Sequence, residues 1–74
     1  MEPRQAALRV LAEEGAALHW TVILDLAQRR GYLDPFTQPD LRRRILASLA
    51  EATRAGEVDR REKGVYALPG GVAD

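Results

Sequence analysis

Four glycines divide this chain into intervals, and the apolar residues of each interval keep their own period. Gly15, Gly31 and Gly56 each follow a stretch patterned at the helical repeat, and Gly64 separates two short strand-like stretches. The constraint is severe. A helix ends at a glycine placed to adopt the left-handed capping conformation. These intervals therefore hold three short helices and a hairpin, and nothing longer.

The first interval predicts a helix over residues 3–14, with Pro3 in its first turn, where a missing N–H costs nothing. Ala7, Leu8, Val10 and Leu11 form its inner stripe, opposite Gln5, Arg9 and Glu13. The short ALHW that follows is expected as a small strand or extended link. A second helix is expected over 20–30, with Val22, Ile23, Leu26 and Ala27, and Leu24 beside them, covering about half its circumference. So wide an apolar arc is either sandwiched between neighbours or used in a dimer contact. Gly31 stops the helix, and Pro35 keeps Asp34 out of helical conformation.

Thr37 and Asp40 have the spacing of a capping box, and Pro39 suits a first turn. The third helix is accordingly expected over 38–55, with Leu41, Ile45, Leu49 and Ala52 inside and Leu46 at their flank. After it, EVDR, REKG and VYAL read as strand, turn and strand, so the hairpin occupies 57–68 and a frayed tail 69–74. Val58 lies on the first strand, and Tyr66 and Leu68 share a face of the second. The expected fold is a single mainly helical α+β domain over 1–74. Helices two and three form a helix-turn-helix, the hairpin is a wing, and ALHW can supply a third strand.

At 74 residues with 46% apolar content, the core of such a domain is thin. The chain has no cysteine and one histidine, which excludes a disulfide framework and leaves too few ligands for structural zinc. Tight packing or self-association must supply the stability. No apolar run approaches the ~18 residues of a membrane span. The opening MEPRQAALRV lacks the order of a signal peptide, so the expectation is a cytoplasmic protein with no membrane partner. Arginine supplies ten of the eleven bases and asparagine is absent, a thermophile-like composition.

The order of elements, read with LHWTVILDLAQRRGYL and GVYALPG, resembles a winged helix-turn-helix domain. More narrowly it resembles the HARE-type winged helix of the RNA polymerase delta subunit and of some restriction-endonuclease fusions. The residues that carry the resemblance are Leu18-His19 before an aromatic, Ile23 and Ala27, the Gly31-Tyr32-Leu33 turn, and Gly64, Tyr66 and Leu68. It covers roughly residues 6–69. What it implies is nucleic-acid binding, or protein docking, in transcription or DNA-modifying systems. The wing departs from the family in having no excess of positive charge.

Net charge is zero, but unevenly spread. Residues 1–36 hold four bases and five acids, 40–54 hold four and two, and 57–63 hold three of each. Only the third helix is positive. On a wheel, Arg43, Ala47, Ala50 and Arg54 oppose its core stripe, with Arg44 and Glu51 at one edge. Arg43, Arg44 and Arg54 are thus expected to share an outer face, while Arg42 lays its stem over apolar neighbours. The functional reading is a recognition helix: Arg43 and Arg44 reach bases or phosphates, and Ala47, Ala50 and Ser48 keep the face low enough for a major groove. The alternative is a solvated face on which Glu51 pairs with its arginine neighbours.

In the wing, Arg60, Arg61 and Lys63 could meet phosphates, but Glu57, Asp59 and Glu62 counter them. Trp20 and Tyr66 are expected to be structural rather than base-stacking. His19 is expected to cap the second helix or to meet the wing. Glu13 and Glu14 read as exposed, and no residue set suggests catalysis, a metal or a cofactor. The leading expectation is a DNA-binding transcription regulator acting on double-stranded DNA. The other is a docking module for an acidic protein surface. Self-association through helix one or two would double the contacts.

Overall fold

A computed structural model of the chain describes residues 1–70. Its elements are α1 (Pro3–Glu14), β1 (Leu18–His19), α2 (Trp20–Arg29), α3 (Leu41–Arg54), β2 (Asp59–Glu62) and β3 (Val65–Ala67). The strands form one antiparallel sheet in the order β1-β3-β2. This is the expected α+β architecture with a winged-helix-like layout, including the third strand drawn from ALHW. The tail expected to fray lies, from residue 71 on, outside the described residues.

Local chemistry accounts for the helix ends. At the end of α2, Gly31 N–H donates to Gln28 O (3.1 Å) and Tyr32 N–H to Ala27 O (2.9 Å). The end of α3 repeats the pattern, with Gly56 to Thr53 (3.1 Å) and Glu57 to Ala52 (2.8 Å). Both glycines have positive φ, 77° and 78°, so each can turn the chain back and satisfy the last carbonyls.

The start of α3 differs from expectation. The helix begins at Leu41 rather than 38, and no capping box forms. Thr37 N–H donates to Asp34 O (3.2 Å), Gln38 N–H to the same oxygen (2.9 Å), and Asp40 adopts φ 55° with no side-chain cap. Pro39 is the cause. It disfavours helical geometry at Gln38, and its ring blocks a ladder bond, so residues 34–38 close a separate turn instead.

Two further boundaries moved. On α1, Ala6 is fully buried and Leu8 only partly, so the inner stripe is Ala6, Ala7, Val10 and Leu11. In the wing, the charged stretch DRRE forms β2, although EVDR was expected as strand and REKG as turn. A bulge between Arg60 and Glu62 accommodates Arg61, and the turn shrinks to Lys63-Gly64. A wholly exposed, charged edge strand resists pairing with other chains.

The core joins Val10, Leu11, Ile23, Ala27, Leu33, Ile45, Leu49 and Val58, all at most 2% exposed, with Tyr66 closing it from β3. On α2 only Ile23 and Ala27 are buried. Leu24 and Leu26 are half-covered and Val22 is 41% exposed, so the apolar arc is wider than its neighbours conceal. Among the described residues no helix is long and apolar enough to cross a membrane.

A polar clamp ties the end of α1 to the end of α2. Arg30 donates to Glu13 (2.8 Å) and Glu14 (2.5 Å), Arg9 donates to Glu13 (3.2 Å), and the Tyr32 hydroxyl also donates to Glu13. Glu13 and Glu14, expected merely to be exposed, therefore join two helices. The Tyr32 bond, with Arg30 and Arg9 behind it, holds the Glu13 carboxyl below its ordinary pKa. The same bond pushes the Tyr32 phenol up.

Two outcomes follow from this packing. Ile45→Ala is expected to cost about 2–5 kcal/mol in denaturant unfolding, against less than about 0.5 kcal/mol for Val22→Ala. A carboxyl whose pKa is lowered on folding stabilises the protein above its unfolded value, and that contribution vanishes as pH falls through the folded one. Melting temperatures of the parent and Glu13→Gln should therefore differ modestly at pH 7 and converge as the pH drops below about 4.

Candidate nucleic-acid interface

The side-chain pairing splits the eleven cations into two populations. All four in the first 36 residues are paired. Arg4 meets Glu57 (2.7 Å) and, at 4.0 Å, Glu51; Arg9 and Arg30 meet Glu13, and Arg29 meets Asp25 (2.7 Å). By contrast Arg42, Arg43, Arg44, Arg54, Arg60, Arg61 and Lys63 have no acidic partner among the described residues. Glu51, expected to pair within α3, reaches instead toward Arg4 of α1. Glu57, expected to counter the wing, is also held by Arg4. Of the acids from residue 40 to 63, only Asp40, Asp59 and Glu62 stay unpaired, against those seven cations.

Helical geometry then distributes the α3 arginines. Leu41, Ile45, Leu49 and Ala52 are sunk into the core, which leaves Arg43, Ala47, Ala50 and Arg54 exposed on the opposite face. Arg44 is exposed at the edge of that face. With Ala47, Ser48 and Glu51 it borders a depression against Glu2, Pro3 and Arg4 at the start of α1. Successive residues are about 100° apart on a helix, so three consecutive arginines must face three ways. Arg42 turns toward α2, where its guanidinium lies 5.3 Å from the Trp20 ring centre.

That Arg42–Trp20 pair was not legible beforehand. Trp20 packs half-buried against the core, and the Arg42 guanidinium lies over its ring. The residues are far apart in sequence and nothing in their spacing signals the contact. Thr21, Leu24 and Gln28 continue the groove beside them.

The wing is pinned to this region. Trp20 N–H donates to Gly64 O (2.8 Å), continuing the β1–β3 pairing of Leu18 with Tyr66 and His19 with Val65. His19 caps α2 by accepting from Thr21 N–H at Nδ1 (3.3 Å), while its Nε2 faces the wing turn. Both roles expected of His19 are thus present. Gly64 has φ 79°, and a Cβ there would stand 2.8 Å from His19 Nε2 and 3.3 Å from Trp20 Cδ1. Lys63 and Gly64 make the turn at the start of α2, and Arg60 and Arg61 lie exposed along β2. The start of α2, the start of α3 and the wing turn form one connected surface.

Compared with protein-family models, curated proteins and solved structures, the chain matches none. Among the described residues no group of three or more His, Cys, Asp or Glu side chains could hold a metal ion.

Gly64→Ala is expected to destabilise the protein by about 1–3 kcal/mol, through left-handed strain and the clash with His19. Chemical denaturation would check it, and NMR should place the largest shifts at His19 and Trp20.

Proposed function

We propose that this chain is a DNA-binding winged-helix module of the HARE-like kind, acting in transcription regulation. Arg43 and Arg54, with the low Ala47 and Ala50 between them, would enter the major groove from the outer face of α3. Arg42, held against Trp20, and Arg60, Arg61 and Lys63 of the wing would meet phosphates. Arg44 would contribute from the flank.

The supporting observation is the segregation of paired from unpaired cations. A net charge of zero offers no long-range field. Affinity for DNA, however, depends on the cations available to replace condensed counterions, and paired arginines are poor replacements. Five acids are engaged by residues outside the proposed surface: Glu13, Glu14, Asp25, Glu51 and Glu57.

The test measures binding to a mixed-sequence duplex from about 50 to about 200 mM salt, where an interface built on phosphates loses affinity steeply. Arg42→Ala and Arg60→Ala should each weaken binding several-fold and lower the log–log salt slope by about 1. Arg9→Ala, which removes a paired cation, should leave the slope unchanged. Trp20, the single tryptophan, gives a direct optical report of the same titration. No binding at the lowest salt would sink this reading and leave the cations to an acidic protein surface.

A further inference from the structure

Phe36 is 96% exposed, more than any other large apolar residue among the described residues. It is not on a loose segment. Its N–H donates to Asp34 Oδ1 (2.9 Å), Gln38 Oε1 accepts from Asp34 N–H (2.8 Å), and Gln38 Nε2 donates to Met1 O (3.0 Å). The α2–α3 connection is thus a braced turn that holds a phenyl ring in water. Beside it lies a hollow of about 580 Å³, lined by Asp25, Gln28, Arg29, Leu33, Pro35 and one side of Phe36 itself. A projecting aromatic next to a concavity is a self-complementary arrangement, since a two-fold axis can seat each ring in the other copy's hollow.

Charge points the same way. Arg29 gives its Nε to Asp25 (2.7 Å), which leaves its terminal nitrogens without a partner among the described residues. Asp34 uses one carboxylate oxygen for Phe36 N–H and keeps the other free. Each copy therefore brings one spare donor and one spare acceptor to the same rim. The free carboxylate oxygen of Asp34 at this rim suits a second copy's Arg29 better than a phosphate. We infer that the chain self-associates as a two-fold dimer, with Phe36 of each copy in the Asp25–Pro35 hollow of the other and Arg29 facing the second copy's Asp34. The inference rests on observations other than those behind the DNA reading, although Asp25 and Gln28 also line the groove beside Arg42. It would leave the unpaired cations of α3 and the wing uncovered.

So small a contact belongs to the reversible class that buries less than about 1,200 Å² in total. Sedimentation velocity from about 10 μM to about 1 mM protein, without nucleic acid, reads an association of that strength. The parent should shift from monomer to dimer across that range. Phe36→Ala removes the ring and Gln28→Trp fills the hollow; each should raise the dissociation constant more than about tenfold. Asp34→Asn preserves the turn's hydrogen bond but removes the charge, so it should weaken the dimer and reduce its salt sensitivity.

Thermal melts at low concentration check that each variant stays folded. A parent that remains monomeric to 1 mM, or a Phe36→Ala chain that dimerises as tightly as the parent, would overturn the inference. A monomeric parent that still binds duplex removes the dimer alone. A dimer that ignores duplex removes only the DNA reading.

Discussion

The seam between α1 and α3 is the contact from which the other features take their positions. Ala6, Ala7 and Val10 on one side and Ile45, Leu49 and Ala52 on the other are almost wholly withdrawn from water. In so short a chain that seam supplies much of the available core, and a small domain has little stability to spare. Once the apolar stripe of α3 is committed inward, the rest of its circumference has no choice. Arg43 and Arg54 must stand in solvent, Arg42 must lean toward α2, and Arg44 must lean toward α1.

The same packing decides which charges are neutralised. Bringing the start of α1 alongside α3 puts Arg4 within reach of Glu51 and Glu57, so an α1 cation occupies two acids that sequence order would assign to α3 and the wing. The clamp of Arg30 and Tyr32 on Glu13 and Glu14 occupies two more. Exposed pairs such as these contribute little stability individually. Their larger consequence is to partition charge, leaving seven unmatched cations on α3 and the wing, of which Arg42 and Lys63 border the surface at the start of α2. The short wing joins that surface because Gly64 admits the His19 and Trp20 rings where a side chain would exclude them.

Much of the fold was legible because its signals are local. The period of apolar residues and the capping glycines located three helices within a residue or so at most ends. The alternation around Gly64 located the hairpin. The failures were also local in origin but had competing solutions. Thr37 and Asp40 satisfied the spacing of a capping box, yet Pro39 between them closed off the helical geometry that the box requires. EVDR and REKG divided the same charged run differently from the DRRE strand that forms, because an edge strand with a bulge tolerates charge on both faces. Leu8 lost its expected place to Ala6, which is fully buried while Leu8 is only partly covered.

The candidate surface was half legible. Periodicity alone placed Arg43, Ala47 and Arg54 away from the core and gave His19 its cap. It could not show that Arg42 would meet Trp20, nor that Phe36 would stand exposed on a braced turn. Sequence by itself determined the elements, their order and the inward face of each helix, since these follow from backbone sterics and the burial of apolar groups at fixed spacing. Beyond the i,i+4 pairs Arg9–Glu13 and Arg29–Asp25, tertiary structure alone decided which charges meet, because pairs between elements depend on distances of a few ångströms between residues far apart in the chain.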